Sequence, residues 1–64
     1  MFIYLQPDSN TGKNGIFINL DKIASVVDTG ERMLVHDQDG SLAYSLSGNQ
    51  ASEIRQILHS LSNN

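Results

Sequence analysis

From Ser47 to Leu61 the chain carries the pattern of an amphipathic helix with its start signal written in. Ser47 followed three residues later by Gln50 is a capping box, in which each side chain satisfies a backbone N–H that the first helical turn leaves unpaired. Ala51, Ile54, Ile57, Leu58 and Leu61 recur at helical spacing and form one apolar stripe. Glu53, Arg55, Gln56 and His59 lie largely off it. A helix of about 14 residues is roughly 21 Å long. That is enough to cross a small sheet, but marginal in isolation. The upstream chain must therefore supply the surface that this stripe covers.

That upstream part reads as strands and turns. Residues 2–6 alternate and are rich in aromatic and β-branched side chains, and residues 16–20 place Ile16, Ile18 and Leu20 on one face. Further strands are expected at residues 24–28, 32–37 and 41–46. The polar stretch from Pro7 to Gly15 ends in Asn14-Gly15, a tight-turn dipeptide because both residues tolerate positive φ. Asp21-Lys22 makes a brief turn before Ile23, and Thr29-Gly30-Glu31 makes another. Asp37-Gln38-Asp39-Gly40 has the composition of a type I turn closed by a glycine bulge. The pattern predicts one α+β domain over residues 1–64: a small antiparallel sheet of four to five strands with one C-terminal helix packed on one face. The expected core is Ile3, Leu5, Ile16, Ile18, Leu20, Ile23, Val27, Leu34, Leu42, Tyr44, Leu46, Ile54, Leu58 and Leu61.

The last hairpin permits a sharper expectation. If Asp37 pairs with Ser41, then His36 faces Leu42, Leu34 faces Tyr44 and Arg32 faces Leu46. Met33 and Val35 then point to the opposite face with Ala43 and Ser45, because strand side chains alternate. One helix covers one face. Met33, Val35 and Ala43 are therefore expected to form an uncovered protein-interaction surface, closed by a second copy or by another protein.

Composition narrows the function classes. At 64 residues the core is thin, and domains of this size usually add a disulfide, a metal or a partner subunit. Cysteine is absent, which excludes disulfides and thiolate zinc sites and raises the expectation of a homo-oligomer. The net charge is −3 and the four basic residues are scattered, so a phosphate-binding nucleic-acid surface is not expected. No stretch approaches the roughly 20 apolar residues of a membrane span. Met1 to Leu5 lacks the basic flank and the length of a signal peptide. Membrane insertion is not expected, and a cytoplasmic location is.

No catalytic, cofactor or metal constellation emerges. Asp37-x-Asp39-Gly40 has the opening of a calcium loop, but the position of the bidentate glutamate holds Gly48. Gly12-Lys13 lacks the first glycine and the hydroxyl residue of a phosphate loop, with Asn14 in the latter's place. His36 and His59 have no ligand spacing around them, and no serine sits in a nucleophile elbow. Tyr4 and Tyr44 could stack on a base, but without a basic surface. A non-enzymatic chain is expected.

Asn19-Leu20-Asp21-Lys22-Ile23, followed by Ala24-Ser25-Val26-Val27, a hairpin at Asp39-Gly40 and a terminal helix from Ser47, resembles the FlbD-like family of small bacterial flagellar-operon proteins. The resemblance spans about residues 15–58 and implies the same succession of strands and final helix. The first loop is longer and more polar here, and the basic residues common before the family's final helix are absent, so the fold is what carries over. The expected function is a protein-interaction or regulatory module acting as a homo-oligomer within a larger assembly. The alternatives are a small acidic phage-type inhibitor that blocks another protein's nucleic-acid site and, third, a small-ligand binding domain.

Overall fold

The computed structural model describes residues 1–63. In chain order it contains β1 (Phe2–Leu5), β2 (Ile16–Asn19), a 3₁₀ turn (Leu20–Lys22), β3 (Ile23–Asp28), β4 (Arg32–Asp37), β5 (Leu42–Ser47) and α1 (Gly48–Ser62). The class is α+β with antiparallel pairing and a C-terminal helix. The expected single sheet of four to five strands is not formed: β1 pairs with β2, and β3, β4 and β5 make a separate sheet in that order. The break lies at the 3₁₀ turn. The Asn19 side chain accepts the Asp21 N–H at 3.1 Å, and the Ile23 N–H closes on the Leu20 carbonyl. The chain is thereby redirected within three residues, and β3 turns to β4 instead of returning along β2.

Two turns form as the sequence predicts. Gly30 (φ +92°) and Gly40 (φ +82°) supply the left-handed residues of the β3–β4 and β4–β5 hairpins. In the second, Asp37 N–H donates to the Ser41 carbonyl at 2.9 Å and Gly40 N–H to the Asp37 carbonyl at 3.0 Å. The Asn14-Gly15 turn does not form. The left-handed position of the first loop is Gly12 (φ +70°), and Asp8 and Lys13 exchange backbone hydrogen bonds of 2.9 and 3.0 Å. Gly15 has a different use: a Cβ there would overlap the Tyr4 hydroxyl.

The β4–β5 pair begins in the expected register, with His36 opposite Leu42, but Val35 then faces Tyr44 and Met33 faces Leu46. Ala43 is the extra residue of a β-bulge. Because side chains alternate, one inserted residue exchanges the two faces for every pair beyond it. Met33 (4% exposed) and Val35 (0%) turn inward and are core residues, which corrects their expected place on an uncovered face; Ala43 remains exposed. Leu34 turns outward opposite Ser45, beside Val27 on β3. Val27, Leu42 and Leu61, expected inside, are largely exposed, and half-buried Leu34 lies outside the core cluster. The buried core is Leu5, Ile18, Met33, Val35, Leu46, Ala51 and Ile54.

Helix α1 lies over β4 and β5 and reaches β1. Its start differs from the expected capping box. Ser47 occupies the N-cap position but makes no side-chain cap hydrogen bond. Gly48 follows in the left-handed region (φ +57°), so the helical residue that a capping box needs next is missing. The cap comes from the first loop instead: buried Asp8 accepts the Asn49 N–H on Oδ2 at 3.0 Å and the Asn10 N–H on Oδ1 at 3.0 Å. Gln50, also buried, donates from Nε2 to the carbonyls of Gln6 (3.0 Å) and Asn14 (2.8 Å). Farther along, Arg55 grips Asp28 with Nε to Oδ2 at 2.8 Å and a second bond to Oδ1 at 3.0 Å, and also reaches the Gly30 carbonyl. The Arg55 hydrogen bond, and then the Gly30 N–H, hold the Asp28 carboxyl below its ordinary value, while Asp28 raises that of Arg55.

A candidate interaction surface on the two-stranded sheet

Strand alternation decides what the β1–β2 pair shows to solvent. Ile3, Leu5, Ile16 and Ile18 pack toward the core, which leaves Phe2, Tyr4 and Phe17 on the outer side. Phe2 is 66% exposed, Phe17 67% and Tyr4 41%. These are three of the chain's four aromatic residues. Tyr4 and Phe17 are direct cross-strand partners, their ring centroids 4.5 Å apart and their planes tilted by 39°. An aromatic pair in such a geometry contributes about 0.5–1.5 kcal/mol beyond the area it buries. Gly15 keeps the space beside the Tyr4 phenol clear.

The ends of this surface are fixed by polar contacts. The Met1 ammonium meets the Asp21 carboxylate at 2.8 Å, and the Met1 carbonyl accepts the Leu20 N–H at 2.8 Å. The start of β1 is thus held against the 3₁₀ turn, and Phe2 is presented from an anchored strand. No acid, base or nucleophile stands among the three rings. Such a surface offers apolar contact to a protein partner, with rings of the kind that dominate interface energetics.

The other sequence-derived candidates are dispersed. Met33 and Val35 are in the core and Ala43 marks the bulge, so they form no common surface. The outer face of the three-stranded sheet does carry apolar side chains, but they are Val27, Leu34 and Leu42, with His36 between Ser25 and Leu42. His36 is half-buried, and its Nδ1 is buried without a hydrogen-bond partner. His59 lies exposed in the last turn of α1. The Asp37 carboxylate is turned onto its own hairpin, accepting the Asp39 and Ser41 N–H groups on Oδ1 at 3.0 Å each. Among the described residues no group of three or more His, Cys, Asp or Glu is placed to hold a metal, and no helix is long and apolar enough to cross a membrane.

Sequence reasoning identified β1 and β2 but gave their outward aromatics no role. The signal was present: two successive strands each place aromatic residues opposite an apolar inward face, where a solvated sheet has polar ones. Comparison with known protein families, curated proteins and solved structures finds no match.

Proposed function

We propose that this chain is a non-enzymatic protein-interaction or regulatory module that acts as a homo-oligomer within a larger assembly, docking through Phe2, Tyr4 and Phe17. The observation that carries this reading is the concentration of exposed aromatic surface on one sheet face. An aromatic side chain buries about 150–250 Å² when covered, so the exposed shares of these three come to roughly 350 Å² per copy. Two copies facing each other bury roughly 700 Å² from the rings alone, and Met1 with the polar rim raises this toward the approximately 1,000 Å² of a specific interface. β1 is also an edge strand, which allows a two-fold pairing of the sheet.

The distribution of acids speaks against the inhibitor reading, which needs a concentrated negative surface. Asp8 is buried, Asp21 is paired with the N-terminus, Asp28 is paired with Arg55, and Asp37 is turned onto its hairpin. Glu31 and Asp39 lie in turns at opposite ends of β4.

Sedimentation across a concentration series tests the proposal. The wild type is expected to self-associate, Phe17→Ser to shift the equilibrium to monomer, and Leu42→Ser on the other sheet to leave it unchanged. A wild type that stays monomeric at hundreds of micromolar overturns self-association. Association that survives Phe17→Ser and Phe2→Ser together overturns the assigned surface.

A further inference from the structure

The free edges of β2 and β5 run side by side without pairing. A cavity of about 280 Å³ opens between Ile16 and Leu46, and a second of about 310 Å³ lies between Ile18 and Tyr44. Ala43 and Tyr44 line both, so the bulge of β5 stands where the two cavities adjoin. Each wall is the terminal strand of its sheet, and alternate N–H and C=O groups of an edge strand point away from its paired neighbour. An occupant that meets both walls must therefore itself offer a peptide backbone. Its central side chains meet Ile16, Ile18 and Leu46, which are apolar.

Charge defines the ends. Lys13 lines the first cavity and Lys22 the second, placing two of the chain's four basic residues at opposite ends of the cleft. Asp21, next to Lys22 in sequence, is held by the Met1 ammonium. Asp37, which also lines the second cavity, has one carboxylate oxygen committed to the amides of its own turn. Neither lysine has an ion-pair partner among the described residues.

We propose that the β2–β5 cleft accepts an extended segment of a partner protein, apolar at its centre and acidic at both ends, which adds as a strand alongside β5. At about 3.3 Å per residue, the six residues of β5 span roughly 20 Å, which sets the separation of the acidic ends at about five to six positions. Main-chain pairing supplies the affinity and the end charges select the sequence. The cleft does not require the aromatic surface to be a dimer interface, although Phe2 and Phe17 flank its mouth.

The probe is a dye-labelled peptide with an alternating valine–threonine centre and a pair of glutamates at each end, titrated by fluorescence anisotropy and mapped by amide shifts. Binding is expected, with the largest shifts in residues 16–19 and 43–47. The same peptide with lysine ends, or the exposed double variant Lys13→Glu with Lys22→Glu, is expected to bind about three- to tenfold more weakly, as two exposed ion pairs allow. Thermal melts confirm that the variant is folded. No binding at millimolar peptide, equal binding of both peptides, or shifts confined to Phe2, Tyr4 and Phe17 overturns the proposal. If the cleft amides shift with protein concentration alone, the occupant is a second copy, and the proposal likewise fails.

Discussion

Replacing Asp8 by alanine tests whether α1 is capped from the first loop. The carboxylate accepts two backbone N–H groups, from Asn49 at the helix start and from Asn10 in its own loop, and Asp8 is only 2% exposed. Removing an N-cap acceptor costs about 0.5–2 kcal/mol. Hydrogen bonds to a charged acceptor contribute about 1.5–3 kcal/mol, and a donor left unpaired away from water adds its desolvation cost. Partial solvation of the released amides brings the expected loss to about 2–3 kcal/mol. A domain of this size shifts by about 4–8 °C per kcal/mol, so the melting temperature should fall by roughly 10–20 °C. Asp8→Asn keeps an acceptor and loses the charge that favours a helix N-terminus, and should fall between. Ser47→Ala removes a hydroxyl that caps nothing and should stay within about 0.5 kcal/mol of wild type. Circular-dichroism melts at one protein concentration compare the three. An Asp8→Ala melt that overlays wild type, or a Ser47→Ala protein destabilised more than Asp8→Ala, refutes the reasoning.

Gly48→Ala should destabilise by more than about 1–2 kcal/mol, because φ is +57° and the new Cβ would lie 2.7 Å from Asp8 Oδ2; the same melts check it. Val35→Lys should unfold the domain or cost more than about 3 kcal/mol by placing an unpaired charge in the core, whereas Leu42→Lys on the exposed side of the same hairpin should be nearly neutral in urea titration. The Asp28–Arg55 pair gives a pH dependence. The folded-state pKa of Asp28 lies below its ordinary 3.8, so the stabilisation is present above that value and is lost as pH falls through the lowered folded value. The gap in melting temperature between wild type and Arg55→Gln should accordingly narrow in acid. A gap unchanged between neutral pH and pH 2 contradicts the assignment.

The elements of this fold are legible because their signals are local. The stripe from Ala51 to Leu58, the glycines at positions 30 and 40, and the alternation of β1 and β2 are each set within a few residues. What local patterns could not show were contacts whose partners lie far apart in the chain. The Ala43 bulge leaves the turn chemistry of Asp37–Gly40 intact and still reverses the faces of Met33, Leu34 and Val35. Ser47-x-x-Gln50 has the composition of a capping box, but Gly48 breaks it, and Asp8 and Gln50 are used in tertiary contacts. The aromatic surface was half legible: the strands were evident, but not that the outer side of their sheet stays uncovered.

The Asp8–Asn49 hydrogen bond joins positions 41 residues apart, and Gln50 reaches back 44 residues to Gln6. Closing a loop of that length carries an entropic cost that must be met before the contact can form. Helix α1 therefore cannot gain its N-terminal acceptor while the chain folds locally, and an isolated peptide of residues 48–62 has none of it. The last helix in sequence should be consolidated late, after the first loop has docked, and the folding rate should fall below that of a helix-rich domain of equal length. Weakening Asp8 should then speed unfolding far more than it slows folding, the behaviour of a contact absent from the transition state.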